Sequence, residues 1–299
     1  MSTGTDGKDE TARPPAFGER LAGVLERYGH LCVGIDPHGY LLEAWGLPVS
    51  AVGAHEFGLR VVEALQGRVG IVKPQVAFYE RFGAMGYKVL EDVFEAARQA
   101  GLLIVADAKR GDVGTTLEAY SQAWLEPGSP LEADAMTINS YQGFDTLRHP
   151  LELADRSGKG LFVLAATSNP ESASLQTARR VRGSQEGRTV AGGIAARAAA
   201  WNREHGRGSC GNVGVVLGGT IDVERLDIDL ADLAQAPAAP VLAPGFGFQG
   251  ASFDRVRDIF GPAARHTIVT SSRSILEAGQ EGLVEQIERH VEVLREAFR

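Results

Sequence analysis

The chain has 299 residues, 44% of them hydrophobic and 23% charged, and a formal net charge of −8. That is the composition of an ordinary soluble globular protein, and its acidic balance argues against non-specific nucleic-acid binding, so an anionic substrate would have to be captured by local positive charge. No apolar run reaches membrane length, and the first residues are polar rather than a basic-then-apolar signal, so no membrane partner is expected.

Residues 1–16 are polar and carry two prolines, Pro14 and Pro15, which reads as a mobile tail. From Phe17 onward, short β-rich runs alternate with longer helical patterns, as expected for one barrel domain over 17–299. The first strand, 31–36, holds Cys32 as a small core residue and ends at Asp36. A helical pattern at 57–65 leads to a strand at 69–74 that ends at Lys73 and Pro74. A second pattern at 87–100 leads to a strand at 102–107, and a third, at 117–125, to one at 133–139 that ends at Asn139. The next strand, 161–167, ends at Thr167-Ser168-Asn169. An insertion of about 169–212 follows: a polar loop, then an Ala-rich helix at 191–204. A connection of that length is either a lid over a binding site or an insertion with no direct role. Strands at 213–217, 241–244 and 267–270 follow, ending in Gly218-Gly219-Thr220, in Gly245-Phe246-Gly247 with Gln249, and in Ser271-Ser272-Arg273. A helical pattern at 283–298 closes the chain. Most of these runs lack polar alternation, as in strands buried on both faces. Eight β/α units imply a closed parallel (β/α)8 barrel, the TIM barrel of the α/β class, which typically takes about 250 residues.

The most informative segment follows the third strand: Asp107-Ala-Lys109-Arg-Gly-Asp112-Val-Gly-Thr-Thr116. Side chains two apart on a strand share a face, so Asp107 and Lys109 project together from its carboxyl end. Asp112 follows a glycine turn, close to the start of the next helix. Two carboxylates near one ammonium raise its pKa and fix its position. Chemistry in such a barrel gathers at the carboxyl ends of the strands. There the early strands present Asp36, Lys73, Asp107 and Lys109, whereas the late ones present Gly, Ser and Arg273, which suit a phosphate. Singly, each has a plain alternative. Asp36 could start a turn, Lys73 could be a surface lysine, Gly245 and Gly247 could be turn glycines, and Arg273 could cap a sheet edge. Turn chemistry alone does not account for the combination.

No metal cluster is expected, because the seven histidines show neither H-x-x-x-H nor H-E-x-x-H spacing. His38 is near a strand end, where it either lines the mouth or, the favoured reading, is a structural or solvent-exposed histidine. Gly245-x-Gly247-x-x-Gly250 matches a dinucleotide spacing, but it comes too late in the pattern and has no acidic residue at the next strand end. Cys32 and Cys210 form no disulfide framework, which fits a reducing cytoplasm.

These motifs resemble the orotidine 5′-phosphate decarboxylase family, in its longer bacterial branch. Its signature, an apolar run and then D-x-K-x-x-D-[IV]-[small]-x-T, is met by Asp107, Lys109, Asp112, Val113, Gly114 and Thr116. The GID at Asp36, the KPQ at Lys73, the TSN at Ser168, the PGFGFQG around Gln249 and the SSR at Arg273 extend the resemblance from Phe17 over nearly the whole chain. The resemblance implies a cytoplasmic homodimer with shared active sites. It would convert orotidine 5′-monophosphate to UMP and CO₂, the last step of de novo pyrimidine nucleotide synthesis, without cofactor or metal. It further implies Lys109 as proton donor to C6, Asp107 against the substrate carboxylate, and Lys73 completing the charge array and touching the ribose. Asp36 would hold a ribose hydroxyl, and Asp112, with Thr116 beside it, would reach into the partner's site. Ser168 would meet the pyrimidine edge, and Gly247, Gln249 and Arg273 would serve the phosphate. The nearest alternative is a magnesium-dependent sugar-phosphate decarboxylase or aldolase of the same superfamily, but those relatives typically carry an acidic ligand where this chain has Lys73, and a cation there would repel Mg²⁺. A Schiff-base aldolase using Lys109 is disfavoured because flanking carboxylates keep that amine charged. A catalytically silent phosphate sensor would not need all four charged positions.

Overall fold

The computed structural model describes residues 14–248 and 250–299. Eight parallel strands close into a barrel in chain order, each hydrogen-bonded to the next and the last to the first. They are β1 (Leu31–Ile35), β2 (Ile71–Pro74), β3 (Leu103–Arg110), β4 (Ala135–Ile138), β5 (Gly160–Ala166), β6 (Val213–Leu217), β7 (Val241–Ala243) and β8 (Thr267–Ser271). All eight expected strands form, with boundaries displaced by at most two residues except at β3. That strand continues past Asp107 through Lys109 to Arg110, which pairs with Ile138 after a register shift. Between Ala106 and Arg110 the ladder is irregular, and pairing to β4 resumes only at Arg110. The expected tail falls almost wholly on 1–13, outside the described residues.

The strands are apolar on both faces because each face meets a different core. One set of side chains fills the barrel: Cys32, Ile71, Leu103, Val105, Ala135, Phe162, Val216, Leu242 and Ile268. The alternate set, including Val33, Val72, Ile104, Met136 and Val163, packs outward against the surrounding helices. Among these, Ala51–Leu65, Gly83–Gln99, Gly114–Leu125, Val190–His205 and Gly279–Ala297 extend the five expected helical patterns. The Ala-rich run lies inside Val190–His205.

The helix Phe17–Tyr28 plugs the amino end of the barrel. Its Phe17, Leu21 and Leu25 join the interior core, and Phe17 meets Phe162 edge-on with centroids 5.9 Å apart. Full burial of each such side chain contributes roughly 1.5–3 kcal/mol. Below the cavity the barrel is therefore solid, and side chains can converge in open space only at its carboxyl end. No helix of the described residues is long and apolar enough to cross a membrane.

Candidate active site

Side-chain parity builds the site. On β3, Leu103 and Val105 fill the barrel and Asp107 continues the same face beyond the apolar layer, while Lys109, past the register shift, also lines the cavity. Lys73 extends the face of Ile71 on β2, and Asp36 extends that of Cys32 on β1. These four charged groups line a cavity of about 480 Å³ whose apolar floor includes Leu164, Val216 and Leu242.

Asp107 sits at the centre of the array. Its Oδ2 accepts from Lys73 Nζ at 2.7 Å, and its Oδ1 accepts from Lys109 Nζ at 2.5 Å. The Lys73 and Asp107 side chains are only 7% and 8% exposed, whereas Lys109 is 48% exposed. Burial pushes the Asp107 carboxyl up, but the two ammonium charges and their hydrogen bonds outweigh it and hold the group well below the usual carboxylate range. Burial likewise disfavours the charged form of Lys73. Asp107 and Asp36 overcome that and raise its pKa above the ordinary lysine value. Lys73 and Asp107 therefore form a permanently charged buried pair, with Lys109 presented from its open side.

The backbone at Lys109 is unusual, with φ at +47° in the left-handed region. A non-glycine residue there costs about 1–3 kcal/mol and is over-determined by its surroundings. Two side chains of the β4 segment supply that support. Lys109 N–H donates to Thr137 Oγ1 at 2.9 Å, and Asn139 Nδ2 donates to the Lys109 carbonyl at 3.1 Å.

At the opposite wall, β1 approaches the β8 end closely. A Cβ on Gly34 would lie 1.8 Å from Ser272 Oγ, so a larger residue there would have to push the Ser272 side chain aside. Asp36 is buried, and its Oδ1 has no protein hydrogen-bond partner among the described residues. Arg273 lines the cavity, with its guanidinium carbon 3.6 Å from the Phe248 ring centroid. Gly245 and Gly247 both have positive φ, +102° and +74°.

Of the other expected site residues, Ser168 lines the cavity with Thr167 and Asn169. The segment Ala173–Gln176 of the long connection anchors this rim, where Gln176 Oε1 accepts from Thr167 N–H at 3.0 Å. Asp112 and Thr116 do not converge on the cavity. Asp112 Oδ1 accepts from Val113 N–H at 2.8 Å, and Thr116 is exposed on the helix that follows. Gly247 lies behind the lining, where a Cβ would meet Ser274 Oγ at 2.9 Å. Gln249 lies outside the described residues.

His38 takes the less favoured of its two sequence readings and lines the cavity beside Phe78, with ring centroids 4.1 Å apart. Burial lowers its pKa, which favours the neutral ring at pH 7. Gln75, the last residue of the KPQ motif, and Thr137 also line the cavity without having been expected there. Thr137 had a signal, since it shares the inward parity of Ala135 on β4.

Residues 29–287 match the profile of the orotidine 5′-phosphate decarboxylase / HUMPS family. The chain is 45% identical over 264 residues to the orotidine 5′-phosphate decarboxylase of Corynebacterium glutamicum (strain R), covering 88% of this chain and 91% of that one. The crystal structure of a Streptomyces avermitilis protein assigned to the same enzyme superposes with a TM-score of 0.86 at 44% identity, covering 95% and 96% of the two chains. Leishmania donovani OMP decarboxylase superposes with a TM-score of 0.71 at 30% identity, over 94% and 98%. With the signature at Asp107, Lys109 and Asp112 on a closed eight-stranded barrel, the chain belongs to the orotidine 5′-phosphate decarboxylase / HUMPS family.

Proposed function

We propose that this protein decarboxylates orotidine 5′-monophosphate to UMP and CO₂, the last step of de novo pyrimidine nucleotide synthesis, in the cytoplasm and without metal or cofactor. The observation that carries this reading is the Lys73–Asp107–Lys109 array, with ammonium to carboxylate distances of 2.7 and 2.5 Å in a pocket open on the Lys109 side. Breaking the C6–carboxylate bond releases CO₂ and leaves the electron pair on C6, where no carbonyl is placed to delocalise it directly. The Lys109 ammonium stabilises that developing charge and then gives C6 a proton, and solvent restores the lysine. Asp107 stands against the substrate carboxylate and discourages the ground state, while staying ionised itself. Asp36 and Lys73 hold the ribose, Ser168 meets the pyrimidine edge, and Arg273 with the Gly247–Gln249 segment holds the phosphate. Binding at that remote end supplies energy for orientation. Lys73 disfavours the magnesium-dependent relatives, since it puts a buried ammonium where they need an acidic ligand.

The active form is a homodimer with shared sites. Supporting this, Asp112 and Thr116 do not line their own cavity, and they lie in a segment that also exposes Val113 and Tyr120. A twofold contact would carry each Asp112 into the partner's cavity. The primary test follows the ultraviolet absorbance of orotidine 5′-monophosphate with purified protein and EDTA. Turnover to UMP is expected. No turnover, or activity that EDTA abolishes and Mg²⁺ restores, would refute the reading.

A further inference from the structure

We propose that Thr137 is a positioning residue for Lys109 and Asp107, a role resting on the decarboxylase reading above. Thr137 projects inward from β4 and is 1% exposed. Its hydroxyl faces two groups of fixed character. Lys109 N–H can only donate and lies 2.9 Å from Oγ1, and the Asp107 carboxylate can only accept and has its Oδ1 at 2.9 Å. The hydroxyl proton is therefore committed to Asp107, and an oxygen lone pair to Lys109 N–H.

That one hydroxyl joins the main chain of the proton donor to the carboxylate that its side chain grips. Lys109 is long and half-exposed, so its ammonium is placed only by its two ends. One end is a backbone with φ at +47°, and the other is the Asp107 Oδ1 contact at 2.5 Å. Thr137 holds both. A valine has nearly the same shape and buries more comfortably in a strand, but it would leave the Lys109 N–H and one Asp107 lone pair without this partner. Substrate contacts from Asp36, Ser168 and Arg273 lie on other strand ends and do not pass through Thr137. Its loss should therefore alter the chemical step rather than ligand binding.

The experiment compares native protein with Thr137→Val and Thr137→Ser, measuring kcat, KM and the dissociation constant for UMP. Thr137→Val is expected to lower kcat by about 10- to 100-fold, with KM and UMP affinity within about twofold, as for geometry lost near the reacting atoms. Thr137→Ser keeps the hydroxyl and is expected to restore kcat to within a few-fold. A valine variant with native kcat overturns the proposal. So does a parallel loss of kcat and UMP affinity that serine does not rescue, which marks a merely structural role. If the valine variant does not fold, Thr137→Ala removes the hydroxyl without adding a methyl beside Asp107, and failure of both to fold also overturns it. Native protein that does not turn over orotidine 5′-monophosphate refutes the decarboxylase reading instead, so the two failures are separable.

Discussion

Replacing Asp107 by asparagine removes the negative charge that two ammonium groups share. Asp36 and Asp107 face Lys73, Lys109 and Arg273 around the cavity, so the substitution widens an excess of positive charge that is already there. Lys73, with its side chain 7% exposed, takes the consequence. Leaving one member of a buried pair uncompensated typically costs about 3–5 kcal/mol. Asp36 still acts on Lys73, and asparagine keeps one carbonyl oxygen, so a loss near about 3 kcal/mol is expected. At about 2.1 cal/mol/K per residue, a chain of this size has an unfolding entropy near 0.6 kcal/mol/K, which converts that loss to a fall in Tm of about 5 °C. Calorimetry at pH 7 on the native protein, Asp107→Asn, Lys73→Met and the double variant measures it. The double variant should lose less than the sum of the single ones, because Lys73→Met removes the stranded charge. If Asp107→Asn is as stable as the native protein, or the two losses simply add, the array is not the compensated pair described here.

Lys109→Ala should abolish decarboxylation by several orders of magnitude while leaving the fold and UMP binding intact, and near-native kcat would remove Lys109 from the chemistry. Arg273→Ala should weaken UMP far more than uridine, because a charge-assisted contact is roughly twice as strong as a neutral one, and equal losses by calorimetric titration would end its phosphate role. Mixing inactive Lys109→Ala with inactive Asp112→Ala subunits should restore part of the activity, since one site of each heterodimer then carries neither defect; confirmed subunit exchange with no recovery would assign Asp112 to its own chain. Asp107 has a depressed folded pKa, so the stability it contributes is present above its unfolded pKa of about 3.9 and is lost as pH falls toward its lower folded value. Native stability should therefore decline between about pH 4 and pH 2 more steeply than that of Asp107→Asn, and identical acid slopes would contradict the assigned shift.

The barrel was legible in the sequence because its strands are apolar on both faces. Runs such as Val213–Leu217 bury one set of side chains inside the barrel and the other beneath the helices, so they stand out from turns and amphipathic helices. The nearness of Asp107 and Lys109 was legible from their two-residue spacing, but the contact itself is made through a left-handed backbone at Lys109 rather than through regular strand alternation. What lay between strands was not. Lys73 and Asp107 are 34 residues apart in sequence, and Thr137 and Asp107 are 30 apart; only parallel pairing of β2 with β3 and β3 with β4 brings them within hydrogen-bond reach. Taking only the last residue of each strand selected Asn139 and passed over Thr137, although the two share the inward parity of Ala135. The structure decided between the two readings of His38 by placing it in the cavity lining, while Asp112 and Thr116 stay out of the lining of their own cavity. A single chain's spacing determines which side chains can share a face; which faces then meet depends on the register and curvature of the closed sheet, and that is a property of the tertiary structure alone.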